Sequence, residues 1–288
     1  MKTIAGIIEM QAVSDKLRLD GRKIGFVPTM GALHEGHLSL VDHARELSDV
    51  VVMSIFVNPT QFGRGEDFEQ YPRDLQKDRR LAESRGVDYI FAPSETEMYP
   101  EEPLTYVEVQ KVSQLLEGEF RLGHFKGVTT VVAKLLNIVK PRVVVFGQKD
   151  AQQAFIIKEM VKDLNFDLEI VIAPIVREKD GLAMSSRNVY LSPDQRKRAT
   201  VLYRSLKLAE SMITGGETNL VKVRAAMLKL INNEPDGKID YVSFVDPANF
   251  EKVENAEMLT QVLSLIAVRF GQTRLIDNML VKVVKNLE

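Results

Sequence analysis

Short apolar runs alternating with helix-patterned stretches constrain this chain more than any other feature. Residues 24–27 and 50–57 (VVVMSIFV) are almost wholly apolar, so each reads as a strand covered on both faces. Residues 88–92, 142–146 and 168–172 read as further strands, and 107–109 as a short one. Between them, residues 10–19, 37–47, 74–85, 128–139 and 151–164 read as helices. Fully covered strands alternating with helices imply a parallel sheet with helices on both sides. Such sheets take ligands at the carboxyl ends of their strands, where the strand order reverses. Three turns with polar or glycine chemistry fall at such ends, at residues 29–37, 58–63 and 147–153. They are expected to meet in space.

After residue 176 the pattern changes. Residues 177–187 (REKDGLAMSSR) are polar and contain a glycine, and read as a mobile loop or hinge. Residues 193–212 read as one long helix capped by Ser192, and 220–232 as another helix. Residues 241–245, 262–270 and 274–281 read as strands, the last two joined in a hairpin through Gly271-Gln272-Thr273. The expected architecture is α/β. A Rossmann-like parallel sheet occupies residues 1–176, and a smaller α+β domain occupies 177–288.

Composition excludes several classes of function. A chain of 288 residues with 45% hydrophobic and 27% charged residues is an ordinary globular protein with room for two domains. Its net charge of −2 gives no electrostatic footprint for nucleic acid. There is no cysteine, which rules out disulfides, thiolate chemistry and cysteine-ligated zinc and fits a cytoplasmic setting. The early apolar stretch is broken at Glu9, so no secretory leader is expected. No run approaches the roughly 18 apolar residues of a spanning helix, so no membrane partner is expected either.

The densest chemistry lies in residues 24–37 (IGFVPTMGALHEGH), where strand, turn and helix follow one another. His34 and His37 stand at the helix entrance, about one turn apart. A helix start offers unpaired N–H groups and a positive dipole end, which suits phosphate. Two imidazoles add donors for the same anion. Their spacing is not that of a His-Glu-x-x-His metal helix, and the other histidines are His43 and His124, so no metal ligands are identified. Neither G-x-G-x-x-G nor a P-loop is present, so phosphates would be held by other means. Lys149, in Gly147-Gln148-Lys149-Asp150, sets a compact cation beside a helix start, and Gln153 follows one turn on. Met184-Ser185-Ser186-Arg187 offers two hydroxyls and a guanidinium that forks phosphate oxygens. Asn58 and Gln61 offer uncharged groups to a substrate with hydroxyls. Each also has a bland reading: a surface lysine, a solvated glutamine, an ordinary linker. Met30 and Met184 read as packing residues, and the charges of residues 74–85 as a solvated helix face.

The His-Glu-Gly-His turn fits the [HT]-x-G-H signature of the nucleotidyltransferase and class I aminoacyl-tRNA synthetase superfamily. The later MSSR resembles that group's second, mobile phosphate-contacting motif. More closely, the chain resembles the pantothenate synthetases, or pantoate–β-alanine ligases. The stretches that carry this are PTMGALHEGH at 28–37, FVNPTQF at 56–62, Tyr71-Pro72-Arg73, HFKGVTTVVAKLL at 124–136, FGQKDAQQ at 146–153 and MSSRN at 184–188, in the family's order. Gln148 stands where Glu is common in that family, which puts no role in doubt.

The resemblance implies an ATP-dependent condensation of (R)-pantoate with β-alanine through pantoyl adenylate, giving (R)-pantothenate, AMP and pyrophosphate. It implies that Met30, Gly31, Ala32, Leu33, His34, Glu35, Gly36 and His37 bind ATP, with His37 a proton donor. On charge grounds both histidines serve mainly as phosphate donors. Gly147, Gln148, Lys149, Asp150, Val176 and Met184 would line the nucleotide pocket. Lys149 and Arg187, helped by Ser185 and Ser186, would stabilise the α-phosphate and the departing pyrophosphate. Gln61 and Gln153 would hold pantoate, Gln61 also lying near β-alanine, with Asn58 beside it. The resemblance further implies Mg2+, a homodimer, and a C-terminal domain acting as a lid. Two rivals are a nucleotidyltransferase that keeps its adenylated product and a non-catalytic nucleotide-binding regulator. A tRNA-binding relative is disfavoured because the chain lacks a basic surface signature.

Overall fold

A computed structural model describes residues 1–63 and 65–284. The chain divides into two compact units, Met1–Gln148 with Gln152–Pro174, and Lys149–Ala151 with Ile175–Glu288. Lys149 thus counts with the second unit.

The sheet of the first unit is built from β1 (Lys2–Ile4), α1 (Ile7–Leu19), β2 (Ile24–Thr29), α2 (Glu35–Leu47), β3 (Val50–Ile55), α3 (Leu75–Ser84) and β4 (Tyr89–Phe91). The short helices α4 (Glu95–Met98) and α5 (Glu117–Phe120) follow, then α6 (His124–Val139), β5 (Val143–Gly147), α7 (Ala151–Asp163) and β6 (Glu169–Ala173). The six strands run parallel in the order β1-β4-β3-β2-β5-β6. From β2 the chain moves outward through β3 to β4, then returns to place β5 on the other side of β2. The order therefore reverses between β2 and β5, where Gly25 lies opposite Val143 and Phe26 opposite Val144. Both carboxyl ends at that point carry glycine-containing turns.

Why these strands lack a polar alternation is visible in the two cores. Ile24, Phe26, Val52, Val144 and Phe146 join one core with Met10 of α1 and Val128, Val132 and Leu135 of α6. Their sequence neighbours Val27, Val51, Met53, Val143 and Val145 join the other with Leu40, Val41 and Ala44 of α2 and Ala82 of α3. Successive residues face opposite sides of a strand, so a sheet covered twice is apolar throughout.

Two expectations for this unit need correction. Residues 107–109 form no strand. The Val107 N–H donates to Thr130 Oγ1 at 3.0 Å and its carbonyl accepts from Thr129 Oγ1, so threonines of α6 satisfy the groups that a ladder would. Conversely, β1 is a three-residue edge strand, too short to leave a periodic signal.

The second unit comprises α8 (Pro193–Arg198), α9 (Val201–Thr214), α10 (Leu220–Asn232), β7 (Gly237–Val245), β8 (Gln261–Phe270) and β9 (Thr273–Lys282). Its strands form an antiparallel sheet in chain order, and α9 and α10 bury Leu206, Ile213, Val223 and Met227 in a core with Phe244, Val262, Ile266 and Phe270. Gly271, at φ +59°, turns the β8–β9 hairpin. The expected single helix over 193–212 is two helices. Ser192 caps the first in a reciprocal box with Gln195, and Thr200 ends it by donating its hydroxyl to the Lys197 carbonyl at 2.7 Å, in competition with the helix ladder. Residues 177–187 are also more tied than a mobile loop. Arg177 bridges Ala183, the Glu178 N–H donates to the Leu182 carbonyl at 2.8 Å, and the Met184 N–H donates to the Val176 carbonyl at 3.0 Å.

Candidate active site

In the first unit the site begins where β2 ends. Thr29 Oγ1 donates to the Ser54 carbonyl of β3 at 2.7 Å and accepts from the Gly31 N–H at 3.1 Å. The chain then turns through two left-handed residues, Gly31 at φ +81° and Ala32 at φ +50°. Asp78 of α3 holds this turn, accepting from the Ala32 N–H at 3.0 Å and the Leu33 N–H at 2.8 Å. Asp78 is 2% exposed, which corrects the reading of residues 74–85 as a wholly solvated face. Burial pushes its carboxyl above the usual carboxylate range, against the downward pull of the two amides. Ala82, four residues on, lies on the same helix face and is fully buried, but one alanine among charged residues does not mark that face in the sequence.

The turn delivers both histidines to the start of α2. His34 is the cap, its Nδ1 accepting from the Gly36 N–H at 3.1 Å. With Nδ1 accepting, the hydrogen of the neutral ring sits on Nε2, which makes that atom a donor. The His34 and His37 rings lie 4.1 Å apart between centroids, and the His37 and Leu38 N–H groups donate to the His34 carbonyl at 2.8 and 3.1 Å. The arrangement offers imidazole donors at a helix N-terminus, the setting for a phosphate. Glu35, between them, is exposed and pairs with Arg85.

Asn58 and Gln61, 1% and 8% exposed, sit in the turn after β3. Tyr99 Oη and Thr60 Oγ1 donate to Asn58 Oδ1 at 2.9 and 3.0 Å. Burial raises the Tyr99 pKa, so its hydroxyl keeps the proton it donates. The Asn58 amide group therefore points its Nδ2 at Gln61 Oε1, 3.1 Å away, and at the Gly127 carbonyl, 3.2 Å away. That in turn sets the Gln61 amide: its oxygen is taken, and Nε2 is the end that lies 3.2 Å from Met30 Sδ of the histidine turn. Gln61 thus presents a donor, suited to a hydroxyl or carboxylate oxygen of a substrate. Gly127 lets α6 approach this closely, since a Cβ there would fall 2.3 Å from the Thr60 carbonyl oxygen. Gly147 and Gln148 close β5 beside β2. Gln153 is half-buried on the first turn of α7, whereas its neighbour Gln152 is buried and bonded to backbone at residues 112, 115 and 117.

In the second unit, Lys149 lies 3.4 Å from Asp150 Oδ1 and its carbonyl accepts from Asn278 Nδ2 at 3.0 Å. Beside it, Arg177 forks the carboxylate of Asp277 at 2.6 and 3.0 Å and stacks 4.4 Å over the Tyr203 ring. Burial pushes the Asp277 carboxyl up, opposed by that guanidinium. Sequence reasoning missed Asp277 and Asn278, which stand in β9 with no local motif around them. Val176 and Met184 meet through their backbone bond. Ser185 Oγ accepts from the Arg187 N–H at 3.2 Å, opening the turn of Ser186 and Arg187. Asn188 ties the segment down through Glu178 Oε1 at 2.9 Å and the Ala183 carbonyl at 3.1 Å.

Among the described residues, no three His, Asp or Glu side chains gather as a metal site, and no helix is long and apolar enough to cross a membrane.

A profile of the pantoate-beta-alanine ligase family matches residues 2–280. The chain is 56% identical over 283 residues to the pantothenate synthetase of Caldicellulosiruptor saccharolyticus, covering 98% of this chain and 100% of that one. It is 55% identical to that of Thermotoga petrophila over 278 residues, 96% of this chain and 99% of the relative. A pantothenate synthetase of Thermus thermophilus superposes with a TM-score of 0.92 at 44% identity, covering 97% of this chain and 99% of that one. The pantoate-beta-alanine ligase of Francisella tularensis, solved in complex with beta-gamma ATP and beta-alanine, gives a TM-score of 0.80 at 36% identity over 97% of each chain.

Proposed function

The chain belongs to the pantoate-beta-alanine ligase family, and from that premise we propose how its residues divide the work. The enzyme joins pantoate to β-alanine, with ATP as the activating substrate. In the first step a pantoate carboxylate oxygen bonds to the α-phosphorus of ATP and the bond to the β-phosphate oxygen breaks, releasing pyrophosphate. In the second, the β-alanine amine bonds to the acyl carbon, the carbon–oxygen bond to AMP breaks, and the nitrogen loses a proton. No covalent bond to the protein is required, which agrees with a chain that has no cysteine.

The difficulty of the first step is charge: an anion approaches a polyanion while charge builds on the leaving group. Donors fixed beforehand meet that charge without reorganising. His34 and His37 bring donors at the start of α2, and the turn from Met30 brings backbone N–H groups. Lys149 and Arg187 bring positive charge to the α-phosphate and pyrophosphate, with Ser185 and Ser186 as hydroxyl donors. Gly147, Gln148, Asp150, Val176 and Met184 line the nucleotide. Gln61 and Gln153 hold pantoate, with Asn58 orienting Gln61, and Gln61 also lies near β-alanine. Residues 1–176 act as the catalytic domain and 177–288 as the smaller domain that begins with the MSSR segment. Magnesium, when present, would be carried on the nucleotide phosphates and would supply neutralisation of their charge. The enzyme works as a cytoplasmic homodimer.

The observation that carries this reading is the contact between Gln61 Nε2 and Met30 Sδ, which sets the substrate glutamine against the histidine turn. The test is to incubate the protein with ATP, pantoate and β-alanine and measure AMP and pantothenate. Exchange of pyrophosphate into ATP should require pantoate. Exchange that instead requires a phosphorylated alcohol identifies a nucleotidyltransferase, and ATP binding without turnover identifies a regulator.

A further inference from the structure

We propose that His124, Arg121 and Glu66 are positioning residues for Gln61 and tune the enzyme's hold on pantoate. This rests on Gln61 being a pantoate ligand. The Gln61 main-chain carbonyl lies 2.8 Å from His124 Nδ1. A carbonyl only accepts, so Nδ1 carries the hydrogen. Nε2 of the neutral ring is then an acceptor, and Arg121 Nη1 stands 3.0 Å from it as the donor. Arg121 is held in turn by Glu66, whose carboxylate accepts from Nε and Nη2 at 2.8 Å each. Every donor in the series points the same way, from Arg121 through His124 to Gln61. A protonated ring would aim its Nε2 hydrogen at a guanidinium, so the series works only with a neutral imidazole.

The surroundings favour that state. His124 is 7% exposed, packs 5.0 Å from the Phe125 ring, and faces the charges of Arg121, Glu66 and Glu117. Burial first, and the Arg121 charge second, hold its pKa down to about 4. Burial also works against the charge on Glu66, but the Arg121 bonds prevail and hold that carboxyl below its ordinary value. Gln61 is consequently fixed at three points: its carbonyl by His124, its side-chain oxygen by Asn58, and its Cα against Gly127. What is left to a ligand is Nε2. Glu66 lies between β3 and α3, so how that segment is held reaches the pantoate donor through two side chains.

A purely structural buried histidine would change melting temperature without distinguishing pantoate from ATP. The full-length variants His124→Asn, His124→Phe, Glu66→Gln and Gln61→Ala separate the possibilities. An asparagine amide at 124 retains the donation to the Gln61 carbonyl and loses Arg121; phenylalanine fills the space and loses both. The pantoate KM should rise about threefold in His124→Asn and Glu66→Gln and about tenfold in His124→Phe, the size of one lost hydrogen bond, with kcat changing less. The ATP KM should stay within about twofold. Should His124→Phe not fold, the other two positioning variants decide the matter. An unchanged pantoate KM in them, with Gln61→Ala impaired, overturns the relay. An unimpaired Gln61→Ala overturns the role of Gln61 itself. In the wild-type protein, nitrogen NMR should show His124 as the neutral Nδ1–H tautomer at pH near 7. An Nε2–H tautomer, or a charged ring, refutes the inference.

Discussion

Replacing Asp78 by Asn removes a charge and one hydrogen-bond acceptor from behind the histidine turn while nearly keeping the side chain's shape. The carboxylate receives the Ala32 and Leu33 N–H groups at 3.0 and 2.8 Å. A carboxamide can accept one of them; its NH2 must then face the other. A buried amide left without its acceptor costs about 1–3 kcal/mol, so the net loss is about 2 kcal/mol. In a unit of this size that lowers the melting temperature by about 4–8 °C. Asp78→Ala leaves both amides without their acceptor and should lower it further. The same turn holds Ala32 at φ +50°, a conformation that costs a non-glycine residue about 1–2 kcal/mol, and without Asp78 the turn relaxes away from it. If the roughly 2 kcal/mol is expressed in nucleotide binding, the ATP KM rises about 30-fold. Steady-state kinetics against ATP and thermal melting measure the two effects. Ala32→Gly in the Asp78→Asn background relieves the left-handed strain and should recover part of the loss. An Asp78→Asn enzyme with a wild-type melting temperature and an ATP KM within about twofold would show that the carboxylate does not hold the turn.

Gly127→Ala should raise the pantoate KM about tenfold or more, because its Cβ would enter the Thr60 carbonyl at 2.3 Å and displace the Asn58–Gln61 turn; an unaltered KM would mean the turn yields freely. Lys149→Ala should lower the rate of AMP formation by about 10²–10³, the loss typical of one donor to developing charge, with little change in melting temperature. For pH, His124 binds a proton near 6.5 when unfolded and near 4 when folded, so acid favours the unfolded chain over that interval. The stability at stake is about 3 kcal/mol, present above pH 6.5 and lost as pH falls through 4. Burial raises the carboxyls of Asp78 and Asp277, which act in the opposite sense, so the isolating measurement is the difference in urea midpoint between wild type and His124→Asn. That difference should shrink steadily from pH 7 to pH 4.

What the sequence discloses here follows the reach of each physical cause. Strands covered on both faces must be apolar at every position, so residues 24–27 and 50–57 announce a parallel sheet without help from distant residues. The histidine turn is equally local: glycine, cap and two imidazoles fall within Gly31–His37, because a helix start solves its own hydrogen bonding nearby. Supports are different. Asp78 stands 46 residues from Ala32, His124 is 63 from Gln61, and Asn278 is 129 from Lys149. Each makes a bond from behind that any chain segment of suitable shape could supply, so nothing in its immediate neighbours requires it. Asp78 sits in a helix where Lys77, Arg80 and Glu83 are exposed, and His124 opens a helix whose residues are mostly buried and apolar. Periodicity averages over such residues and assigns them to the wrong environment. The same reasoning explains the false strand at residues 107–109: extended apolar backbone was legible, but the threonine hydroxyls that occupy its polar groups lie on another element. The glycine, cap and imidazoles of the histidine turn are therefore written close together in the chain, while the groups that support the turns are recoverable only once the topology has folded α3 and α6 against them.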